Sequence, residues 1–323
     1  MTFAKKALIV GSLALVGTST AALAVDRLNA AGATFPENIY TRWFSQLAKQ
    51  GLKVNYQAVG SGAGRKAFID ETVSFAASDD PIADKDKAKV SRGVVQFPTV
   101  GGTIALGYNK PGCTLKLTQK QVVSIFMGSI TDWKDVGCAA GKITVVHRSD
   151  GSGTTAAFTK SLKTFSPEWT LGSAKSVDWK VGVGAKESSG VAGVISTTAG
   201  AIGYINQSYV QGAIKAAAVQ NKAGQFELPG YQSGKAALSG IVLDSDLAGS
   251  NPNPTTPGAY PITTLTYILA YKTGNGAKTD SLKAVFNYML SNKAQDQADN
   301  LGFVPLSDAI QAKAQAAVKT IQP

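Results

Sequence analysis

The chain is organised around the stretch His147-Arg148-Ser149-Asp150-Gly151-Ser152-Gly153-Thr154-Thr155. The apolar residues 143–146 before it predict a buried strand, and residues 156–162 after it predict a helix. A strand, a short turn rich in Gly, Ser and Thr, and the start of a helix form a cradle for an anion. The first N–H groups of a helix have no intrahelical partner, and the helix dipole places partial positive charge there.

The residue types of this turn suit an oxyanion. Gly151 and Gly153 let the backbone approach a ligand closely, and Ser152 and Thr154 add hydroxyl donors. Arg148 adds a guanidinium fork, whose geometry matches the oxygens of a tetrahedral oxyanion. The stretch therefore predicts a binding site for a small anion.

Asp150 narrows the choice of anion. An ionised carboxylate only accepts hydrogen bonds, so it repels an anion that carries no proton. Phosphate carries a proton at neutral pH, whereas sulfate carries none. We therefore expect a phosphate site in which Asp150 selects the ligand. The alternative is an ordinary N-capped helix whose Asp150 simply pairs with Arg148.

Two earlier segments repeat the strand–turn–helix pattern. Residues 29–36 precede apolar residues at helical spacing, so Thr34 and Phe35 lie at a helix N-terminus, where Thr34 is equally well an ordinary cap. Residues 53–59 predict a strand, followed by the Gly/Ser turn 60–64 around Ser61 and then by a helix. Alternating strands and helices predict parallel sheets, in which ligands bind at the carboxyl ends of strands. A cleft between two lobes would bring these turns together.

Other segments complete the predicted pattern. Residues 73–81 predict a strand that ends in Asp79 and Asp80, either of which accepts a ligand proton or caps the turn. The apolar runs 94–98 and 103–108 predict two further strands. The Gly-rich residues 179–190 predict a loop.

The composition limits the class of protein. The chain has 323 residues, of which 44% are hydrophobic and 16% charged, which is typical of a globular protein large enough for two lobes. The net charge is +11, but the lysines are scattered and form no basic run. A general attraction for anions fits this distribution better than nucleic-acid binding does, and we expect no nucleic-acid partner.

The N-terminus predicts export. Residues 1–24 combine Lys5 and Lys6, the apolar run 7–16 and the small-x-small cleavage site Ala22-Leu23-Ala24 of a signal peptide. The apolar run is too short to remain as a membrane-spanning helix. No Cys lies near the cleavage site, so we expect no lipid anchor.

Cys113 and Cys138 are the two cysteines of the chain. In an exported protein an even pair predicts a disulfide. A zinc site is the poorer alternative, because His147 is the single histidine. We expect no cofactor.

Four motifs, taken in order, resemble a known family: the periplasmic phosphate-binding proteins of the high-affinity phosphate ABC transporter (the PstS family) and the related DING-type phosphate binders. The similarity covers nearly the whole mature chain. The four motifs are Gly32-Ala33-Thr34-Phe35-Pro36, Val59-Gly60-Ser61-Gly62, Phe75-Ala76-Ala77-Ser78-Asp79 and Arg148-Ser149-Asp150-Gly151-Ser152-Gly153-Thr154-Thr155.

The resemblance implies an α/β, two-lobed periplasmic-binding-protein (Venus-flytrap) fold, type II-like, with two hinge crossings near Gly102 and Ala259. Lobe I would comprise residues 25–102 and 259–323, and lobe II residues 103–258. The implied protein is a monomer that binds inorganic phosphate in the periplasm and passes it to a membrane permease. The resemblance also implies that the protein is not an enzyme.

The resemblance also implies a role for each site residue. Backbone N–H groups, hydroxyls and a guanidinium would donate to the anion, Asp79 would accept its proton, and Asp150 would pair with Arg148 beside the ligand oxygens. The implied phosphate-binding residues are Thr34, Phe35, Ser61, Asp79, Arg148, Asp150, Ser152, Gly153 and Thr154.

Other functions remain open. An exported phosphatase or hydrolase would use Ser61 or Ser152 as nucleophile, but neither serine lies in a G-x-S-x-G motif. A surface protein that scavenges phosphate without a permease would use the same pocket. A sulfate binder would have little reason to keep Asp79 and Asp150 at the ligand.

Overall fold

The computed structural model describes residues 27–323. The predicted signal peptide, residues 1–24, lies outside the described residues. Within the described part of the chain, no helix has the length and apolar character needed to span a membrane.

Strands and helices alternate along most of the described chain. The strands are β1 (Arg27–Gly32), β2 (Lys53–Ala58), β3 (Phe75–Ser78), β4 (Val94–Asn109), β5 (Lys116–Leu117), β6 (Thr144–Arg148), β7 (Val183–Ala185), β8 (Ala201–Asn206), β9 (Lys215–Ala216), β10 (Ala218–Gln220), β11 (Phe226–Glu227) and β12 (Thr263–Tyr271). The α-helices are α1 (Glu37–Ala48), α2 (Ser61–Ile69), α3 (Asp84–Lys87), α4 (Gln119–Met127), α5 (Gly153–Phe165), α6 (Glu187–Thr197), α7 (Tyr231–Leu238), α8 (Thr279–Met289), α9 (Asn292–Gln295) and α10 (Asp308–Lys319). Short 3-10 helices cover Trp133–Val136, Gln207–Tyr209, Gly276–Lys278 and Asp299–Leu301.

One large sheet runs through the molecule in the order β2-β1-β3-β12-β4-β8-β6-β7, with β9 also paired to β4. Strand β4 belongs to two parts of this sheet, because its residues 94–103 pair with β12 and its residues 104–109 pair with β8. We call β2, β1, β3, β12 and residues 94–103 the first half-sheet, and residues 104–109, β8, β6 and β7 the second half-sheet.

Strand β4 is continuous, so the prediction of separate strands at 94–98 and 103–108 was wrong. Pro98 has no N–H to donate, but the pairing with β12 shifts register between Thr266 and Tyr267, opposite this point, and a bulge accommodates the missing donor. Gly101 packs closely against α7, since a Cβ atom there would lie 2.2 Å from a methyl carbon of Leu238 and would force this side chain to move. The glycine therefore marks a close approach rather than the end of a strand.

Parallel strands orient the turns. β1 is parallel to β2 and β3 in the first half-sheet, and β6 is parallel to β7 and β8 in the second. The carboxyl ends of β1, β2 and β3 therefore share one edge, and those of β6 and β7 share another. This arrangement is the predicted α/β class. The limits of the two lobes remain a prediction, although β4 changes its partner immediately after Thr103, close to the expected crossing.

Aromatic side chains fill the core of the first half-sheet. On α1 the buried side chains of Tyr40, Trp43 and Phe44 recur at helical spacing, and the rings of Tyr40 and Trp43 stack 5.8 Å apart. The indole N–H of Trp43 donates to the carbonyl of Ala294 at 3.0 Å, which ties the N-terminal helix to the C-terminal segment. The first and last parts of the described chain thus build the same half of the molecule.

The predicted disulfide is confirmed. Cys113 and Cys138 are bonded, with their Cα atoms 5.4 Å apart and a sequence separation of 25. The bond closes the segment that contains α4.

Replacing both cysteines by alanine is expected to lower the free energy of unfolding by about 3 kcal/mol, because the open chain gains conformational freedom when unfolded. Denaturant titration of the double variant and of reduced wild type checks this, and both should lose similar stability. A double variant as stable as the oxidised wild type would contradict the prediction.

Candidate functional site

The turn after β2 meets the turn after β6 across the two half-sheets. The amide of Gly62 donates to the carbonyl of Gly151 at 2.7 Å. A Cβ atom on Gly153 would lie 2.6 Å from the Ser61 hydroxyl oxygen, so a larger residue there would collide with the opposite turn. The glycines of both turns therefore allow two backbones to close on one small space.

Asp79 lies at the end of β3, buried beside this contact with 5% of its surface exposed. Its carboxylate accepts from the hydroxyl of Thr266 at 2.7 Å and from that of Thr154 at 3.1 Å. Burial raises the pKa of Asp79 to about 6, against the lowering effect of both threonines and of Arg148. At neutral pH the carboxylate is ionised yet holds a proton more firmly than an ordinary aspartate, which suits a group that accepts a ligand proton.

Arg148 and Asp150 form a bidentate ion pair. The Arg148 Nε atom donates to Asp150 Oδ1 at 2.6 Å, and Nη2 donates to Oδ2. Burial opposes ionisation of Asp150, but the hydrogen bonds and charge of Arg148 outweigh it and hold the Asp150 pKa below its usual value. The pairing of Asp150 with Arg148, expected both for a phosphate site and for an ordinary capped helix, is present, and Asp79 is the carboxylate with a raised pKa.

The Arg148–Asp150 ion pair packs closely against the turn that follows β2. A Cβ atom on Gly60 would lie 2.3 Å from Asp150 Oδ2 and 3.3 Å from Arg148 Nη2. Gly60 also has a positive φ of 90°, a conformation that favours glycine. Only a residue without a side chain lets the ion pair stand against this turn.

Helix α5 supplies donors from its first turn. Ser152 is its N-cap, because the Ser152 hydroxyl accepts from the Thr155 amide at 3.1 Å, while the hydroxyl proton stays available to a ligand. The Ser152 amide donates instead to the carbonyl of Lys175 at 2.9 Å. The amides of Gly153 and Thr154 lie in the first helical turn, where no intrahelical acceptor exists.

Thr34 and Phe35 occupy the turn between β1 and α1. The Phe35 ring is buried and packs edge-on against Phe303 with centroids 6.0 Å apart, which directs the side chain to the core and leaves its backbone for the site. Helix α1 starts after Pro36, so Thr34 does not cap it. The Thr34 hydroxyl lies 2.7 Å from that of Ser188 instead.

Sequence reasoning missed Ser188 and Thr266. Residues 179–190 were expected to form a loop, whereas the structure has β7 at Val183–Ala185 and α6 starting at Glu187. This is a further strand–turn–helix unit, but its strand is too short to show a hydrophobic period. The Ser188-Ser189-Gly190 sequence that follows this strand could have indicated a further helix start with hydroxyl donors. Thr266 lies in a strand buried on both faces, where no alternation indicates which side chains face a site.

The hydroxyls considered as nucleophiles have structural partners. Ser61 Oγ accepts from the Asp79 amide at 3.3 Å, and Ser152 Oγ serves as the helix cap described above. The His147 ring stacks on Trp179, with centroids 4.9 Å apart, and its Nδ1 lies 3.1 Å from the Arg148 carbonyl oxygen. Burial lowers the His147 pKa. Within residues 27–323, no cluster of three or more His, Cys, Asp or Glu residues is placed to hold a metal ion.

Comparison with known proteins places the chain in a family. A family model described as a PBP superfamily domain matches residues 17–293. The phosphate-binding protein PstS of Pasteurella multocida is 38% identical over 314 residues, covering 91% of this chain and 90% of that protein. The chain belongs to the PstS family. The PstS of Haemophilus influenzae is likewise 38% identical, over 87% of this chain and 89% of that protein.

Solved structures share the fold of this PstS-family chain. A high affinity periplasmic phosphate-binding protein (PfluDING), bound with phosphate, superposes with a TM-score of 0.80 at 24% identity, covering 90% of this chain and 93% of that chain. The resemblance inferred from the motifs and the predicted binding-protein fold class are both confirmed. The roles of the individual site residues stay predictions.

The raised pKa of Asp79 predicts that Asp79→Asn stabilises the anion-free protein at neutral pH. A folded-state pKa of about 6 against a usual 3.8 favours folding below pH 3.8, and this contribution is lost as pH rises through 6. Asparagine stays neutral and avoids the loss, which is worth up to roughly 3 kcal/mol at about 1.4 kcal/mol per pH unit.

Urea titrations of stripped wild type and Asp79→Asn at pH 4 and pH 8 measure this effect. The variant should gain stability over wild type at pH 8 and little at pH 4. Asp84→Asn, at a carboxylate 94% exposed, is the control and should show no such difference. Equal stabilities of wild type and Asp79→Asn at pH 8 would show that the buried charge of Asp79 costs nothing.

Proposed function

We propose that this chain binds inorganic phosphate, as HPO4 or H2PO4, with high affinity in the periplasm and delivers it to the membrane permease of an ABC importer. The observation that carries the proposal is the buried Asp79 carboxylate beside the donor-rich turns. Because an ionised carboxylate only accepts hydrogen bonds, it tolerates a tetrahedral oxyanion only if that anion still holds a proton. The names of the PstS relatives support the same ligand.

The groups around Asp79 complete a phosphate shell. The Arg148 guanidinium, the backbone amides at two helix starts and several hydroxyls donate to the phosphate oxygens, while Asp79 accepts the ligand proton. Asp150 holds Arg148 in place beside the ligand. The proposed contacts are Thr34, Phe35, Ser61, Asp79, Arg148, Asp150, Ser152, Gly153 and Thr154.

The charges explain why binding relies on hydrogen bonds. Arg148 is neutralised by Asp150, and Asp79 adds a further negative charge, so the site does not attract an anion by a surplus of cations. Neutral N–H and O–H donors carry most of the interaction, and they act strongly because the site is buried. A pocket of this kind distinguishes a protonated oxyanion from one that carries no proton.

We place the functioning protein outside the cytoplasm, as a monomer with a cleaved signal peptide and no lipid anchor. Lobe I would comprise residues 25–102 and 259–323, and lobe II residues 103–258. Because the site is built from turns of both half-sheets, phosphate binds the closed state more tightly and shifts the population toward it. The permease would recognise that state.

The rival functions differ in their demands. A hydrolase needs a base on its nucleophile, whereas Ser61 Oγ and Ser152 Oγ both accept backbone N–H groups, and the PstS relatives are named as binding proteins. A scavenging protein would share the pocket without a permease. Phosphate uptake by cells that lack this protein, with and without its gene restored, separates that function from transport.

The proposed ligand predicts a calorimetric result. After bound anion is stripped, wild type should bind phosphate and its protonated analogue arsenate, but not sulfate. Asp79→Asn should weaken phosphate binding or relax the discrimination against sulfate, because an amide nitrogen donates where the carboxylate accepts. Sulfate binding as tight as phosphate binding to the wild type would refute the proton-acceptor role.

Arg148→Lys should weaken phosphate binding by roughly 1–3 kcal/mol, the scale of a hydrogen bond to a charged group. Lysine keeps the positive charge but lacks the planar guanidinium, which can donate to Asp150 and to the ligand at the same time. Titration calorimetry measures the phosphate affinity of Arg148→Lys. The control is Arg42→Lys, the same change at an exposed position of α1, which should bind phosphate as wild type does. Unchanged affinity of Arg148→Lys would remove Arg148 from the site.

A further inference from the structure

Ser188 connects the two half-sheets at the site. It lies at the start of α6, which packs against β6 and β8 of the second half-sheet, and 2% of it is exposed. Its partner Thr34 follows β1 of the first half-sheet and is 1% exposed. The contact between these two side chains therefore joins a turn of the first half-sheet to a helix that packs on the second.

The Thr34 hydroxyl is held from two directions by one residue. The Ser188 amide donates to Thr34 Oγ1 at 3.2 Å, and the Ser188 hydroxyl lies 2.7 Å from the same oxygen. A threonine hydroxyl has two acceptor positions and one proton. When the Ser188 hydroxyl donates as well, both acceptor positions of Thr34 are filled and its own proton is left for another acceptor.

Arg148 favours this direction of the hydrogen bond. Its Nη1 donates to Ser188 Oγ at 3.4 Å, so the serine oxygen already accepts from a guanidinium. A hydroxyl that accepts from a cation is a better donor to its next neighbour, because hydrogen bonds in a chain polarise one another. The chain thus runs from Arg148 through Ser188 to Thr34.

The backbone before Ser188 is strained to hold it there. Glu187 has a φ of 67°, in the left-handed region that non-glycine residues avoid. Its amide donates to Asp150 Oδ1 at 3.0 Å, so the Arg148–Asp150 pair fixes this conformation. Strain of this type persists where surrounding contacts over-determine it, and it is common at ligand clamps.

We propose that Ser188 is a positioning residue for the anion: by filling both acceptor positions of the Thr34 hydroxyl, it turns the Thr34 proton toward phosphate when the cleft closes. The inference rests on the proposed phosphate function. It adds a residue that acts through Thr34 and makes one of the phosphate donors depend on closure.

Removing the Ser188 hydroxyl tests the proposal. Ser188→Ala should weaken phosphate binding about tenfold, the effect of one hydrogen bond, chiefly through faster dissociation, because the contact forms after the ligand enters. Ser189→Ala removes the same group from the next residue, which is exposed, and should bind as wild type does. Ser188→Thr keeps a hydroxyl and should restore most of the lost affinity. Calorimetry and stopped-flow displacement give both quantities.

A double-mutant cycle distinguishes positioning from a general structural role. Thr34→Val removes the hydroxyl that Ser188 is proposed to orient. In the Thr34→Val background, Ser188→Ala should therefore weaken phosphate binding by less than a further twofold. A full tenfold loss in the Thr34→Val background would show that Ser188 does not act through Thr34, and would overturn the inference.

The remaining outcomes separate this inference from the function on which it rests. If stripped wild type binds phosphate and Ser188→Ala binds equally well, the inference fails while the proposed function stands. If stripped wild type binds no phosphate, the proposed function fails. Thermal unfolding of each anion-free variant verifies folding, and should Ser188→Ala not fold, unchanged affinity of Thr34→Val would overturn the inference alone.

Discussion

The structure of the site depends on a buried carboxylate that has no cation of its own. Burying a charge is costly unless it is paired, and the nearby guanidinium of Arg148 is committed to Asp150. Asp79 is instead held by the hydroxyls of Thr266 on β12 and Thr154 on α5. The raised pKa of Asp79 records the remaining cost. A ligand that brings a proton relieves it, and one without a proton adds to it.

The same contact joins residues from distant parts of the fold. Thr266 lies in β12 and Asp79 follows β3, in the first half-sheet. Arg148 ends β6 of the second half-sheet, and Thr154 and Ser188 lie on α5 and α6, the helices that follow β6 and β7. In the proposed function, the proton acceptor and several donors therefore come from different parts of the large sheet. Strand β4 joins these parts, because its residues 94–103 pair with β12 and its residues 104–109 pair with β8.

Many residues of the candidate site could be predicted from sequence because each lies in or next to a short motif that is recognisable on its own. A strand, a Gly/Ser/Thr turn and a helix start reveal anion donors wherever they occur, and Arg148 and Asp79 lie within or beside such turns. Ser188 could not be found in this way, since β7 is too short to show a period. The continuity of β4 was also hidden: Pro98 and Gly101 predict a break locally, but packing against β12 and Leu238 overrides them.

The division of labour between the two carboxylates follows from their neighbours rather than from their position in a motif. Burial opposes ionisation of both, but the fork of Arg148 binds both oxygens of Asp150 and lowers its pKa, whereas burial raises the pKa of Asp79, which accepts hydrogen bonds from neutral side chains. The Asp150 carboxylate thus orients the Arg148 side chain and accepts from the amide of Glu187, whose backbone is strained. Of the two, only Asp79 has a raised pKa. In the proposed function it is therefore this carboxylate, which has no cation of its own, that distinguishes a ligand with a proton from one without.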